Sequence, residues 1–273
     1  MRLLLAAVLA TVFALPAASD DTEASELTKL MTAYDARGWE AVGRLNIGWG
    51  GMCTGALIAP DVVLTAGHCL YSSRSGDQVD PTTIEFLAGW RNGRASASRQ
   101  VYRAVVHPDY DFSASLDATR VRNDLALLEL RWPIRNGVIR PFRTGISPNK
   151  GDRVGVVSYA KHRSEAPSLQ EVCNVLGRQE GVLVTTCTVD FGSSGAPIFS
   201  FDDGEVQIVS VVSAKAEAGG QNVSLGTSLT EPLIVLKEEL AASRGFFSRS
   251  GSAGNRLQVG GGRGDSGAKF VKP

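Results

Sequence analysis

Apolar positions along this chain fall in short runs, several alternating with polar residues, and Gly, Pro and Asp break the runs apart. On that pattern Thr83 to Leu87, Val101 to Val106, Leu125 to Leu130, Arg153 to Tyr159, Val182 to Val189 and Val206 to Ser213 read as β-strands. Successive side chains of a strand point to opposite sheet faces, so each alternating run can bury one face and leave the other to solvent. Asp202-Asp203-Gly204, between the apolar runs at Ile198 and Val206, predicts a hairpin turn. One segment has a helical period instead. Thr230 can cap a helix over Glu231–Leu240, with Pro232 in the first turn and Leu233, Leu236 and Leu240 on one face. The expectation is an all-β domain followed by a C-terminal helix.

Both ends of the chain depart from this pattern. Met1-Arg2 precede an apolar run from Leu3 to about Leu15, and Ala17-Ala18-Ser19 precede Asp20-Asp21, which is the layout of a signal peptide over 1–19. That run is too short to span a bilayer, and no later segment holds the roughly 18 uninterrupted apolar residues of a membrane helix. No cysteine stands at the expected cleavage point, which disfavours a lipid-anchored form. An exported protein, secreted or periplasmic, with no membrane anchor is expected. Residues 244–273 are rich in Gly, Ser and Arg with almost no apolar periodicity, and predict a flexible tail.

Between those ends lie roughly 200 residues, a length that a single all-β domain often reaches. Apolar residues make up 43% of the 273, enough for a core, and Lys plus Arg balance Asp plus Glu at 28 each. With no global field, neither nucleic acid nor an anionic membrane surface is an expected partner.

The chemistry concentrates in Asp190-Phe191-Gly192-Ser193-Ser194-Gly195-Ala196-Pro197-Ile198, which reads Gly-x-Ser-Gly-x-Pro ahead of a buried strand. A hydroxyl is a poor nucleophile at neutral pH, so it needs a base to take its proton and fixed N–H groups to hold the oxyanion that forms. Glycines flanking Ser194 let the main chain turn tightly and approach a substrate. A base is available upstream. Two apolar runs flank Pro60-Asp61, and the second ends in Thr65-Ala66-Gly67-His68-Cys69, beside a cysteine within reach of Cys53. In Asn123-Asp124-Leu125-Ala126-Leu127-Leu128 an acid opens an apolar strand, at the edge of a core. Of the 3 histidines, His107 in a His-Pro segment reads as structural and His162, between Lys161 and Arg163, as surface loop. Asp109, Asp111 and Asp117 lie in a polar loop without a following apolar strand.

These three motifs, in the order His, Asp, Ser, resemble a secreted trypsin-like serine peptidase of the chymotrypsin superfamily, and within it the bacterial branch that includes the glutamyl endopeptidases. The likeness covers roughly residues 40 to 242. It implies two packed six-stranded antiparallel β-barrels within a peptidase domain at 41–243, His68 and Asp124 coming from the first and Ser194 from the second. Ser194 would attack the scissile carbonyl, His68 would take its proton, Asp124 would orient His68, and the N–H groups of Gly192 and Ser194 would form the oxyanion hole. Ser213 matches the position that pairs main chain with an extended substrate. Protein or peptide substrates are implied, with no cofactor or metal, and a monomer.

Four cysteines allow three connectivities, of which Cys53 with Cys69 and Cys173 with Cys187 closes the shortest loops. The spacings are long for zinc, and no Cys-x-x-Cys occurs. Departures from the family pattern matter as well. Trypsin-like zymogens carry an aspartate before the nucleophile that pairs with a freed N-terminal ammonium; here that position is Ser193, and the expectation is an oxyanion loop that forms without this trigger. A propeptide or an N-terminal extension is expected over 20–40, with Arg37-Gly38 as its candidate cleavage point. Thr188 stands where a basic-selective aspartate would, which speaks against cleavage after Arg or Lys, and Lys215 can face an acidic substrate side chain. Gly264-Asp265-Ser266-Gly267 repeats the better-known serine motif but lies in the tail, with too little chain after it to wall a pocket. A non-catalytic binding protein on the same scaffold is the alternative reading, and an esterase of the Gly-x-Ser-x-Gly type is disfavoured by Ala196.

Overall fold

A computed structural model describes residues 24–48, 50–201 and 204–242. The expected signal peptide at 1–19, the expected tail at 244–273 with Ser266, and Asp202-Asp203 of the expected hairpin lie outside the described residues.

The chain forms two antiparallel barrels in succession. In the first, β2 (Val42–Ile47), β3 (Gly51–Ala59), β4 (Val62–Thr65), β5 (Ile84–Ala88), β6 (Ala97–Val106) and β7 (Ala126–Leu130) close in the order β2-β3-β4-β7-β6-β5. The second is built from β9 (Arg153–Ser158), β10 (Ser168–Gln179), β11 (Val182–Thr185), β12 (Pro197–Ser200), β13 (Gln207–Ala218) and β14 (Gln221–Ser228). These run β10-β11-β14-β13-β12-β9, and pairing of β9 with β10 closes the ring. Closure leaves no edge strand in either ring exposed to pair with another chain. Two short strands lie outside the rings: β1 (Thr28–Lys29) pairs with β10, and β8 (Arg143–Thr144) runs parallel to β13.

Apolar side chains fill both barrels, among them Leu45, Leu64, Phe86 and Leu127 in the first and Val156, Ile198 and Val212 in the second. A seam of aromatic rings ties connecting segments to the second barrel. Trp39, ahead of β2, and Phe142, on the link between barrels, meet Phe199 of β12 with ring centroids 5.0 and 4.8 Å apart. The described part of the expected propeptide lies against the same barrel. Ser25 N donates to Val172 O at 2.9 Å, Thr28 faces Leu169, and Leu30 is buried, whereas Arg37 and Gly38 are exposed.

The terminal helix occurs as α2 (Pro232–Ala241), burying Leu233 and Leu236 and packing back on β6 and β7 of the first barrel. Its cap differs from the expectation: Glu231 rather than Thr230 is the N-cap, and no side chain caps the first turn. Pro232 lacks the N–H that a cap would otherwise have to satisfy. A second helix, α1 (Ala118–Arg122), was not visible in the pattern. Asp117, read as a loop acid, caps it by accepting a hydrogen bond from Arg120 N at 2.8 Å.

Candidate active site

A cleft of about 1190 Å³ runs along the junction of the barrels, and Met52, His68, Gly192, Ser194, Ser213 and Lys215 are among the residues lining it. The histidine lies just after β4, where the chain leaves the strand into a single 3₁₀ turn over Gly67–Leu70. The Cys53–Cys69 disulfide ties this turn to β3. In the chain-entropy account such a loop contributes roughly 3 kcal/mol by restricting the unfolded chain. The other cysteines are also joined, Cys173 on β10 to Cys187 beyond β11, so the connectivity is the one with the shortest loops. Cys53, His68 and Cys69 bring donor atoms within 4.8 Å of one another, but both sulfurs are spent in the disulfide.

Asp124 follows α1 and reaches the histidine from below the cleft floor, only 2% exposed. Its Oδ2 lies 2.7 Å from His68 Nδ1, and its Oδ1 accepts the His68 backbone N–H at 2.7 Å. A third donor comes from the other barrel, where Ser213 on β13 points its Oγ at Asp124 Oδ2 at 2.5 Å. Thr227 of β14 adds a bond to the main chain here, donating to Val121 O at 2.6 Å. Both oxygens of the buried carboxylate are therefore hydrogen-bonded, one by His68 N and the other by His68 Nδ1 and Ser213 Oγ, as a buried charge requires. An ionised carboxylate only accepts, so Nδ1 carries the imidazole proton and Nε2 is left with the free lone pair.

Ser194 is half-buried in the same cleft, on the turn that precedes β12. Its carbonyl accepts from Thr54 N of β3 at 2.8 Å, so the turn is stitched to the first barrel beside the disulfide. Gly195 makes this approach feasible. A Cβ there would sit 2.1 Å from Thr65 Oγ1 and 2.3 Å from Thr54 O, and its φ of +79° lies where side chains are strained. Gly192 has a φ of +97° and faces Met52 and Ala160.

Of the expected specificity residues, Ser213 and Lys215 line the cleft, Ser213 buried and Lys215 exposed. Thr188 does not line it; it is exposed, with its N–H held by Gln170 Oε1 at 2.7 Å, and Val189 and Asp190 take the wall instead. His107 is buried as a structural residue. Its N–H bonds Leu125 O, its Nδ1 accepts from Asp109 N at 3.3 Å, and burial holds the ring below the usual imidazole range against the pull of Asp109.

Three participants escaped the sequence reading. Thr54 Oγ1 donates to Gly192 O at 2.9 Å and accepts from Tyr159 N at 3.0 Å, bridging the barrels at the turn. Phe191 projects from the turn at the cleft rim, 82% exposed. Arg163, the neighbour of His162 to which the sequence assigns no role, sends its guanidinium inward to Ser193. Nothing in the local pattern marks Thr54 or Arg163, because each acts on a partner more than twenty-five residues away.

Two closed barrels, with a histidine–carboxylate pair from one and a glycine-flanked serine from the other on a shared cleft, define the class of chymotrypsin-like folds. Known proteins agree. The Trypsin family model matches residues 31–231, and the chain belongs to that family. It is 25% identical over 189 residues to a glutamyl endopeptidase from Bacillus licheniformis, an alignment covering 67% of this chain and 58% of that protein. It is also 32% identical over 97 residues to a trypsin from Phaedon cochleariae, covering 35% and 34% of the two chains. A solved structure of a Glu endopeptidase in complex with MPD superimposes with a TM-score of 0.66 at 20% identity, over 81% of this chain and 98% of the other, and shares its fold. The chain spans under two thirds of the length of these curated relatives.

Proposed function

We propose that this protein is a secreted serine endopeptidase that cleaves peptide bonds through a covalent acyl-enzyme. Ser194 Oγ attacks the substrate carbonyl carbon while His68 Nε2 takes its proton. Asp124 keeps the ring in the Nδ1–H tautomer and stabilises the imidazolium that forms. The N–H groups of Gly192 and Ser194 receive the oxyanion, where each donor is worth roughly 3 kcal/mol of transition-state stabilisation. The imidazolium then gives its proton to the departing amine, and a water activated at the same nitrogen frees the acid. The observation that carries this reading is the 2.7 Å contact between His68 Nδ1 and a carboxylate held by three donors, with Ser194 on the same cleft.

Two disulfides fit an oxidising compartment, as the apolar N-terminal segment implies. Among the described residues no helix is long and apolar enough to cross a membrane. Lys215 at the cleft wall favours an acidic side chain at the cleaved position, in keeping with the relative named glutamyl endopeptidase. The test is labelling of the purified protein with a fluorophosphonate, followed by a peptide panel varied only at the cleaved position. Covalent labelling that disappears in Ser194→Ala, with turnover of peptides, is the expected result. A protein that binds peptides without labelling is a non-catalytic member of the scaffold, and fast cleavage after Arg removes the acidic preference.

A further inference from the structure

The 190–194 turn presents its N–H groups only if its peptide planes are held, and glycine at 192 contributes no side chain to hold them. Ser193 fills this role from the inside. Its side chain is fully buried, and four groups surround its Oγ: Arg163 Nη2 at 3.1 Å, Asp190 N at 3.2 Å, Tyr159 O at 3.3 Å and Ser158 Oγ at 3.4 Å. A hydroxyl accepts twice and donates once, so it accepts from Arg163 and Asp190 and donates to one of the other two.

Arg163 belongs to the loop after β9, and its guanidinium also donates to Ser158 O at 2.5 Å and Ser158 Oγ at 2.9 Å. One cation thus joins the end of β9 to the turn. Burial lowers the guanidinium to about 10, with Asp190 opposing the shift, so it is charged throughout the neutral range. The same loop sets the turn through its main chain, since Lys161 N donates to Phe191 O at 2.8 Å. A trans peptide places its C=O and N–H on opposite sides, so the N–H of Gly192, a residue that lines the cleft, is turned away from the Lys161 N–H.

We propose that Arg163 is a built-in positioning cation, holding the oxyanion turn in working shape through Ser193 Oγ and Ser158 in place of a freed N-terminal ammonium. This rests on the peptidase reading above. A neutral side chain at 163 leaves the carbonyl of Ser158 and a lone pair of Ser193 buried without their donor, and the turn is the element free to shift in response. Such a device needs no proteolytic release of a chain terminus to assemble the oxyanion hole.

The experiment compares fluorophosphonate labelling rates and the kcat and KM of a cleaved peptide for the wild type, Arg163→Ala, Arg163→Lys, and a form extended by a dipeptide at its N-terminus. Arg163→Ala is expected to lose about 100-fold in labelling rate and kcat, the scale of a misplaced oxyanion donor. KM should change little, because the loss is confined to the transition state. Added guanidinium should restore part of the rate, which a general loss of folding would not allow, and Arg163→Lys should fall between. The extended form should match the wild type. An Arg163→Ala protein as reactive as the wild type overturns the proposal, as does a loss on extension equal to that of Arg163→Ala. Should Arg163→Ala fail to fold, Ser193→Ala keeps the cation and removes its target; about a tenfold fall in kcat is expected, and no fall overturns the proposal. A wild type that never labels overturns the peptidase reading itself, a result distinct from equal labelling of wild type and variant.

Discussion

The two barrels hold their halves of the cleft differently. In the first, His68 and Asp124 sit next to regular strands, pinned by a disulfide, by the His68 backbone N–H on the carboxylate, and by α1. In the second, Ser194 sits on an irregular turn whose shape depends on contacts from elsewhere: Thr54 of β3 on Ser194 O, Thr65 of β4 against Gly195, and Arg163 of the loop after β9 on Ser193. Each half also reaches into the other, Ser213 of the second barrel bonding Asp124 and Thr54 of the first bonding the turn. The difference teaches that the base is prepared by its own barrel, whereas the nucleophile is prepared by the junction. Changes in the first half should therefore act on chemistry at nearly constant stability. Changes in the second should act on both.

The largest effect is expected from Asp124→Asn. An amide in that site can offer an N–H to the ring, reversing the tautomer that His68 needs, so kcat should drop about 10,000-fold while the fold persists. Steady-state kinetics with a melting curve check this; a loss below tenfold would mean that the carboxylate does not set the tautomer.

Next comes Gly195→Ala, where the added Cβ meets the main chain of the first barrel at 2.3 Å in a left-handed conformation. It should cost about 3 kcal/mol or more and lower activity with it. An unchanged urea midpoint would show that the barrels are not pressed together at this residue.

The smallest effect concerns His107, which tests the first barrel alone. Burial keeps its folded-state pKa below the unfolded value of about 6.5. Below that value the unfolded chain takes up a proton that the folded one resists, so stability falls as pH drops from 7 toward 5. The melting temperature of His107→Asn should decline less steeply over this window, by a few degrees. Parallel slopes for the two proteins would exclude the histidine as a contributor.

Much of the site was legible because its motifs are contiguous. Thr65-Ala66-Gly67-His68-Cys69, Asn123-Asp124-Leu125 and Gly192-Ser193-Ser194-Gly195 each carry their own signal, and short apolar runs marked most of the strands around them. Helix α1 was missed because a five-residue helix is too short to show a period, and its capping Asp117 looks like any loop acid. Val189 and Asp190, which line the cleft beside Thr188, carried no signal of their own, because the course of the chain between Cys187 and Ser194 follows no strand or helix period.

Local chemistry, then, was enough to say which side chains could act as acid, base and alcohol, since each of their motifs is contiguous and the alternation that marks a strand is local. Barrel closure needed more: the pairing of β9 with β12 depends on backbone groups brought together from distant segments. The working shape of the serine turn was likewise decided only in the folded molecule. Arg163 and Ser193 are thirty residues apart, and no pattern of polarity says that a loop arginine will turn inward. Burial turns a surface charge into a structural one, and burial is a property of packing rather than of sequence.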